Sequence, residues 1–257
     1  MKKKRILVTN DDGIHARGIR SLVEAVKDLG EVIVVAPDKG NSAKSHSVTF
    51  MQPVYYHRAE NIDGSPVYGV SGTPVDSVKM AMGNILESKP DLILSGINHG
   101  SNATINVLYS GTMAAAIEGA TFNIPSAGFS LDDHSPNANF DAAKKYVRKL
   151  VLSMINNPMP DQTCLNVNIP AVPENEIKGI EVCRQTRGYW NEGFTERTHP
   201  AGFSYYWLSG KFENCEPDEP GTDEWALRNN YVAVVPVKPD FTNYAFLKEL
   251  KQWNYDQ

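Results

Sequence analysis

The first 37 residues limit the fold more than any other stretch. Arg5–Thr9 is a continuous β-branched and apolar run, as expected of a strand buried on both faces. Ile14, Ile19, Leu22, Val23, Val26 and Leu29 then recur at helical spacing, so residues 17–29 are predicted to be a helix closed by Gly30. Glu31–Pro37 is a second apolar strand, stopped by proline. Strand, helix and strand so close together make a βαβ unit, hence a parallel, right-handed crossover and the opening of a Rossmann-like sheet.

Between the first strand and its helix stands Asn10-Asp11-Asp12-Gly13. Asn, Asp and Gly are ordinary turn formers, so an exposed turn is one reading. Two adjacent carboxylates also repel each other, which calls for something positive beside them.

Further strand–helix alternation follows. Val67–Val70 leads to Thr73-Pro74, an N-cap with proline at the first helical position, and a helix to about Glu87. Val48–Phe50 and Val54–Tyr56 are expected as short paired strands. Residues 91–98 and 125–131 are buried strands, 113–120 an alanine-rich helix, and 140–155 an amphipathic helix. Residues 165–170 alternate apolar side chains with Asn166 and Asn168. Ile180–Cys183 alternates as an antiparallel-type strand, and residues 187–225 are aromatic and rich in turns. The expected architecture is one α/β domain: a mainly parallel, Rossmann-like sheet flanked by helices. Its core spans about 1–178 plus 226–238, a β-rich arm projects at about 186–225, and residues 239–257 form a helical tail capped at Thr242 or Asn243. The arm's aromatics are either a nucleobase or ligand clamp or, by default, a subunit interface.

With 257 residues and a net charge of −5, the chain lacks the broad basic surface of a nucleic-acid or anionic-membrane binder, though a small phosphorylated substrate needs only a local site. Cys164, Cys183 and Cys215 lack metal-site spacing and read as reduced thiols of a cytoplasmic protein. The basic start is followed by too short an apolar run for a signal peptide, and no segment reaches transmembrane length.

Open α/β sheets bind ligands beyond the carboxyl ends of their strands. Three such ends carry polar sets: Asn10, Asp11 and Asp12; Asn41, Ser42 and Ser45; Asn98 and Asn102. Taken singly, Ser42 is a loop hydroxyl and Asn98 a turn former. Together they are an all-oxygen donor set suited to a hard divalent cation, Mg²⁺ or Mn²⁺. Ser110-Gly111-Thr112 opens the alanine-rich helix and is either a simple N-cap or an anion site. His15, His46 and His99 lie near these loops, as proton-transfer or phosphate groups or as plain polar loop residues.

The blocks Ile6–Gly13, Val34–Asp38 with Ser42, Gly72–Asp76, Ser95–Asn102, Tyr109–Thr112 with Glu118-Gly119, and Leu165–Pro170 resemble the SurE family of nucleotidases. Gly221-Thr222-Asp223 is similar as well. The resemblance implies a metal-dependent 5′-nucleotidase acting on nucleoside monophosphates, 5′ and 3′, and in some members on short polyphosphate. One divalent metal ion would sit on Asp11, Asp12, Ser42 and Asn98, with Asp11, Asp12 and Asn98 serving catalysis by metal-activated water. Asn102, Ser110, Gly111 and Thr112 would contact phosphate. Homodimers or homotetramers exchanging arm and tail are implied too. Ala43 and Met113-Ala114 depart from the family pattern without touching these ligands. A non-catalytic nucleotide or phosphate sensor is the alternative reading.

Overall fold

A computed structural model describes residues 3–255, so Met1 and Lys2 of the basic start and the last two tail residues lie outside it. Among the described residues a nine-stranded sheet runs in the order β3-β4-β2-β1-β5-β6-β7-β11-β8. Its strands are β1 (Arg5–Thr9), β2 (Glu31–Pro37), β3 (Tyr56–Ile62), β4 (Ser65–Val70), β5 (Leu92–His99), β6 (Ser126–Leu131), β7 (Cys164–Ile169), β8 (Gly179–Val182) and β11 (Tyr231–Val237). From β4 through β7 neighbours are parallel. The central strands β1 and β2 and most of β5 are apolar because helices cover both faces. Ile6 and Val8 of β1 point to one side, where α1 (Arg17–Val26) and α4 (Asp141–Asn156) pack. Leu7 points to the other, against α2 (Pro74–Met80) and α3 (Gly111–Thr121).

Chain direction across the sheet positions the site. From β1 the chain moves outward through β2 to β4 and then returns to β5 on β1's other side, continuing to β6 and β7. The β1/β5 border is therefore the topological switch point, where the loops after the two strands part and leave a crevice. Asp11-Asp12 follow β1 and Asn98 lies at the end of β5.

Several expectations change. Residues 48–50 are not strand, and β3 starts only at Tyr56, pairing antiparallel with β4. The 48–55 run is instead held by side chains: Thr49 N–H donates to Asp76 and Tyr55 N–H to Ser71 Oγ. The Thr73 cap forms with a full capping box through Asp76, but α2 stops at Met80 and gives way to a π-helical turn over Ala81–Ile85. β8 runs parallel to β11, not antiparallel, and β11 is the strand that turns antiparallel, against β7. The alternation in β8 reflects its place at the half-exposed sheet edge, which does not encode direction.

The arm is a hairpin of β9 (Gly188–Thr198) and β10 (Ser204–Asn214), paired antiparallel along its whole length. It is shorter than the aromatic stretch, because α5 (Asp223–Arg228) folds back onto β11 through Ala226 and Leu227. In the tail, α6 (Tyr244–Leu250) is capped by Asn243, whose Oδ1 accepts from Phe246 N–H at 3.0 Å. No helix among the described residues is long and apolar enough to cross a membrane.

Candidate active site

Asn10 sets the first turn. Its Nδ2 donates to Gly13 O at 3.0 Å and its Oδ1 accepts from Gly13 N–H at 3.1 Å, so one buried side chain closes the loop that displays both carboxylates. Asp11 is 4% exposed. Its backbone oxygen accepts from Asn41 N–H at 2.7 Å, which docks the loop carrying Ser42 against the turn. Ser45 anchors that loop further on, donating from Oγ to Leu108 O at 2.5 Å and from N–H to Tyr109 O at 3.0 Å.

On β5 the pairing with β6 slips between Ser95 and Asn98, a bulge that re-aims the strand end. Gly96-Ile97 is a cis peptide there. Helix α1 presses on the same segment, and a Cβ on Gly18 would lie 1.8 Å from Ile97 O. Asn98 Nδ2 donates to Gly100 O at 2.7 Å and His99 O at 3.3 Å, which leaves Oδ1 as its group for a ligand. Asp12, half-buried, accepts a long bond of 3.4 Å from His99 N–H.

The first turn of α3 packs against Asp11. A Cβ on Gly111 would come 2.7 Å from Asp11 Cβ, so only glycine lets the first turn of α3 approach so closely. The fully buried Thr112 hydroxyl donates to Asp11 Oδ1. Ser110 is the N-cap, its Oγ accepting from Met113 N–H at 3.0 Å. Both hydroxyls read as phosphate contacts are thus engaged within the protein, and part of the helix N-terminus serves Asp11.

Burial pushes the Asp11 carboxyl up to about 6; the Thr112 hydroxyl opposes the rise and the Asp12 charge adds to it. Asp12 is also raised, mainly by burial, with His99 opposing. Two adjacent carboxylates, one buried and one half-buried, held above their ordinary range are what a bound cation would relieve. With Ser42 and Asn98 nearby, the donor set is all oxygen and fits a hard divalent ion.

Asp11, Ser42, Asn98, Asn102 and Ser110 line one open cavity of about 470 Å³. Gly111 and Thr112 are buried behind it. Asn102 is positioned by an amide relay from β7: its N–H donates to Asn168 Oδ1 at 2.7 Å, its carbonyl accepts from Asn166 Nδ2 at 2.9 Å, and Asn168 Nδ2 donates to Asn166 Oδ1 at 2.9 Å. Asn102 Nδ2 reaches Ser130 Oγ on β6 at 2.9 Å. Buried Asp223 fastens the chain two residues on, accepting from Thr104 N–H at 2.7 Å and from Thr186 N–H at 2.8 Å. Thr104 sits at φ +61°, a strained setting for a β-branched residue, held by that carboxylate.

The histidines separate. His99 lines the cavity, its ring edge-on to Phe140 at 5.0 Å. His46 points elsewhere, pairing at 2.9 Å with buried Glu118, which Lys79 also engages at 2.5 Å. His15 is exposed. Asn106, Asp132, His134 and Glu224 also line the cavity without having been expected there, and Trp190 and Phe212 bring to it the root of the aromatic arm, one of whose two expected roles was a nucleobase or ligand clamp. Burial raises Asp132 and Glu224 as well. Glu224 directly follows the Gly221-Thr222-Asp223 block and was within reach of it; for Trp190 and Phe212 the one signal was the arm's aromatic content.

The family model described as Survival protein SurE matches residues 6–192. A protein named 5′-nucleotidase SurE from Flavobacterium psychrophilum is 48% identical over 259 residues, covering all of both chains. One of the same name from Christiangramia forsetii is 50% identical over 255 residues and 98% of each chain. The crystal structure of a SurE protein from Aquifex aeolicus superposes with a TM-score of 0.83 at 42% identity, covering 96% of this chain and 98% of that one.

Proposed function

The chain belongs to the SurE family, and from that premise we propose that it is a 5′-nucleotidase that hydrolyses nucleoside monophosphates to nucleoside and phosphate. The observation that carries the reading is the buried Asp11 carboxylate, raised to about 6 beside Asp12, at the switch point of the sheet and on the wall of a substrate-sized cavity.

In this reading Asp11, Asp12, Ser42 and Asn98 hold one divalent cation, Mg²⁺ or Mn²⁺. Such a cation supplies charge neutralisation at a phosphate oxygen and lowers the pKa of water. The protein's own residues hold the ester in place. Asn102 presents a backbone fixed by β7, and Ser110 brings the start of α3 to the same wall. Asn10, Thr112 and Gly111 keep the two carboxylates in register with that helix. Restraining these groups before substrate arrives is where preorganised electrostatic catalysis gains its rate.

The substrate is a 5′-monophosphate first and a 3′-monophosphate second. Polyphosphate rests on the family resemblance alone. Among the described residues no lysine or arginine lines the cavity, so a longer anion finds little counter-charge in a single subunit. We further propose a cytoplasmic homodimer or homotetramer that exchanges arm and tail. Supporting this are the exposed aromatics Phe194 and Trp207 on the arm and Phe246 and Trp253 in the tail.

Phosphate release from AMP with Mn²⁺ or Mg²⁺, stopped by EDTA and restored by metal, is the expected result. Release that persists in EDTA overturns the metal assignment. Absence of release from every nucleoside monophosphate overturns the enzyme reading in favour of a binding module.

A further inference from the structure

The hairpin arm has two parts that differ in surroundings. Toward its tip, Phe194 and Trp207 are 73% and 65% exposed. At its root, Trp190 and Phe212 face each other across the β9–β10 register, ring centroids 5.9 Å apart at 66°. Both root rings line the cavity that Asp11 lines.

Trp190 is also fixed in place. Its indole N–H donates to Asn106 Oδ1 at 2.8 Å, and Asn106 O accepts from Ser110 N–H at 3.0 Å. One short helical turn, Thr104–Leu108, therefore ties the indole to the start of α3. An aromatic ring held this way offers a π-face to any base with little ordering cost, and stacking of this kind tolerates base identity. The other groups on that wall include the carboxylates of Asp132 and Glu224, acceptors for neutral hydroxyl or amine donors and repellent to a second phosphate.

We infer that Trp190 and Phe212 form the nucleobase subsite of this cavity, so that the arm's root selects nucleotides over other phosphomonoesters. The inference rests on the nucleotidase reading and adds specificity to it. Base identity is read weakly, because the platform is a stack and not a set of edge-directed hydrogen bonds.

The test compares kcat/KM for AMP with that for ribose 5-phosphate, which carries the same ester and sugar without a base. Trp190→Ala and Phe212→Ala are expected to lower the AMP to ribose 5-phosphate ratio by about tenfold or more, mainly through KM for AMP. Trp190→Phe, which keeps a ring, should stay within about threefold of wild type. Phe194→Ala, on the same hairpin outside the cavity, should leave the ratio unchanged. A ratio that stays at the wild-type value in Trp190→Ala, whether both substrates hold or both fall together, overturns the subsite while leaving the nucleotidase reading intact. A wild-type enzyme inert on both esters overturns the nucleotidase reading and the subsite with it. A second readout does not depend on turnover: AMP should quench the tryptophan fluorescence of the wild type, and Trp190→Phe should lose most of that quenching. Equal quenching in the two proteins contradicts the inference.

Discussion

The buried hydroxyl of Thr112 donates to Oδ1 of Asp11, so the second residue of α3 serves the carboxylate at the end of β1. A hydrogen bond to a charged group is worth about 1.5–3 kcal/mol. Thr112→Val keeps the shape and removes the donor. We expect kcat for AMP to fall about tenfold or more with KM little changed, and Thr112→Ser to restore most of it. Were the hydroxyl a phosphate contact instead, KM would rise while kcat held. Steady-state kinetics on the two variants separates these outcomes.

Asp11 links activity to stability. Its ordinary carboxyl value of 3.8 is raised to about 6 in the metal-free fold, with burial the main cause. The folded state then binds the proton more tightly than the unfolded one. The associated stability is present below about pH 4 and is lost as pH climbs through about 6. The size is on the order of 3 kcal/mol. In metal-free buffer at pH 7.5, Asp11→Asn should raise Tm while reducing metal-dependent turnover at least about 100-fold. Mn²⁺ should raise the wild-type Tm more at pH 7.5 than at pH 5, and should scarcely move the variant. Thermal melts across pH, with and without metal, read all three. An Asp11→Asn protein that melts lower than wild type at pH 7.5 contradicts the assignment of Asp11 as a strained carboxylate.

The contrast between legible and hidden features has a physical basis. β1, β2 and β5 are buried on both faces, so each appears as an apolar run, and the polar residues that end or follow β1 and β5 are where the switch point gathers Asp11, Asn98 and Asn102. The Thr73–Asp76 capping box is local and equally plain. The bond from Thr112 to Asp11 was hidden because the partner lies 101 residues away, and a hydroxyl at a helix start looks the same whether it faces an anion or a carboxylate. The Asn166/Asn168 alternation was visible, yet its role depends on the 101–104 loop crossing above β7. The division of the arm into a cavity-lining root and an exposed tip follows from where α5 and Asp223 anchor it, a tertiary contact without local signature. The direction of β8 is hidden for a similar reason: alternation reports exposure, and exposure at a sheet edge is blind to polarity.

Asn168 tests the amide relay. Its Oδ1 accepts from Asn102 N–H at 2.7 Å and from Ser101 Oγ at 3.2 Å. Asn168→Ala strands a buried N–H and a side-chain amide acceptor, at a cost of about 1–3 kcal/mol each. We expect a urea midpoint lower by an amount on that scale and a fall in kcat, since Asn102 loses its restraint. A variant as stable as wild type would mean the relay contributes nothing to the loop. A destabilised variant with full kcat would mean the loop contributes nothing to catalysis.

Gly18 gives the most direct link between packing and the site. Replacing an exposed helical glycine by alanine ordinarily stabilises a protein by about 0.5–1 kcal/mol. Gly18 lies in α1, buried, where an added Cβ would meet Ile97 O at 1.8 Å and Ile97 C at 2.9 Å. Both obstacles are backbone, which cannot swing aside as a side chain end would. Either α1 lifts from the sheet, or the end of β5 shifts and carries Asn98 with it. Overpacking of this severity should cost about 3 kcal/mol or more, reversing the sign of the usual substitution. The folded fraction should also lose turnover, because Asn98 is the next residue along β5. Chemical denaturation and kcat for Gly18→Ala measure the two effects together. A variant as stable as wild type would show that α1 and β5 do not meet at Ile97. A destabilised variant whose folded fraction keeps full kcat would show that this contact carries no part of the site's geometry.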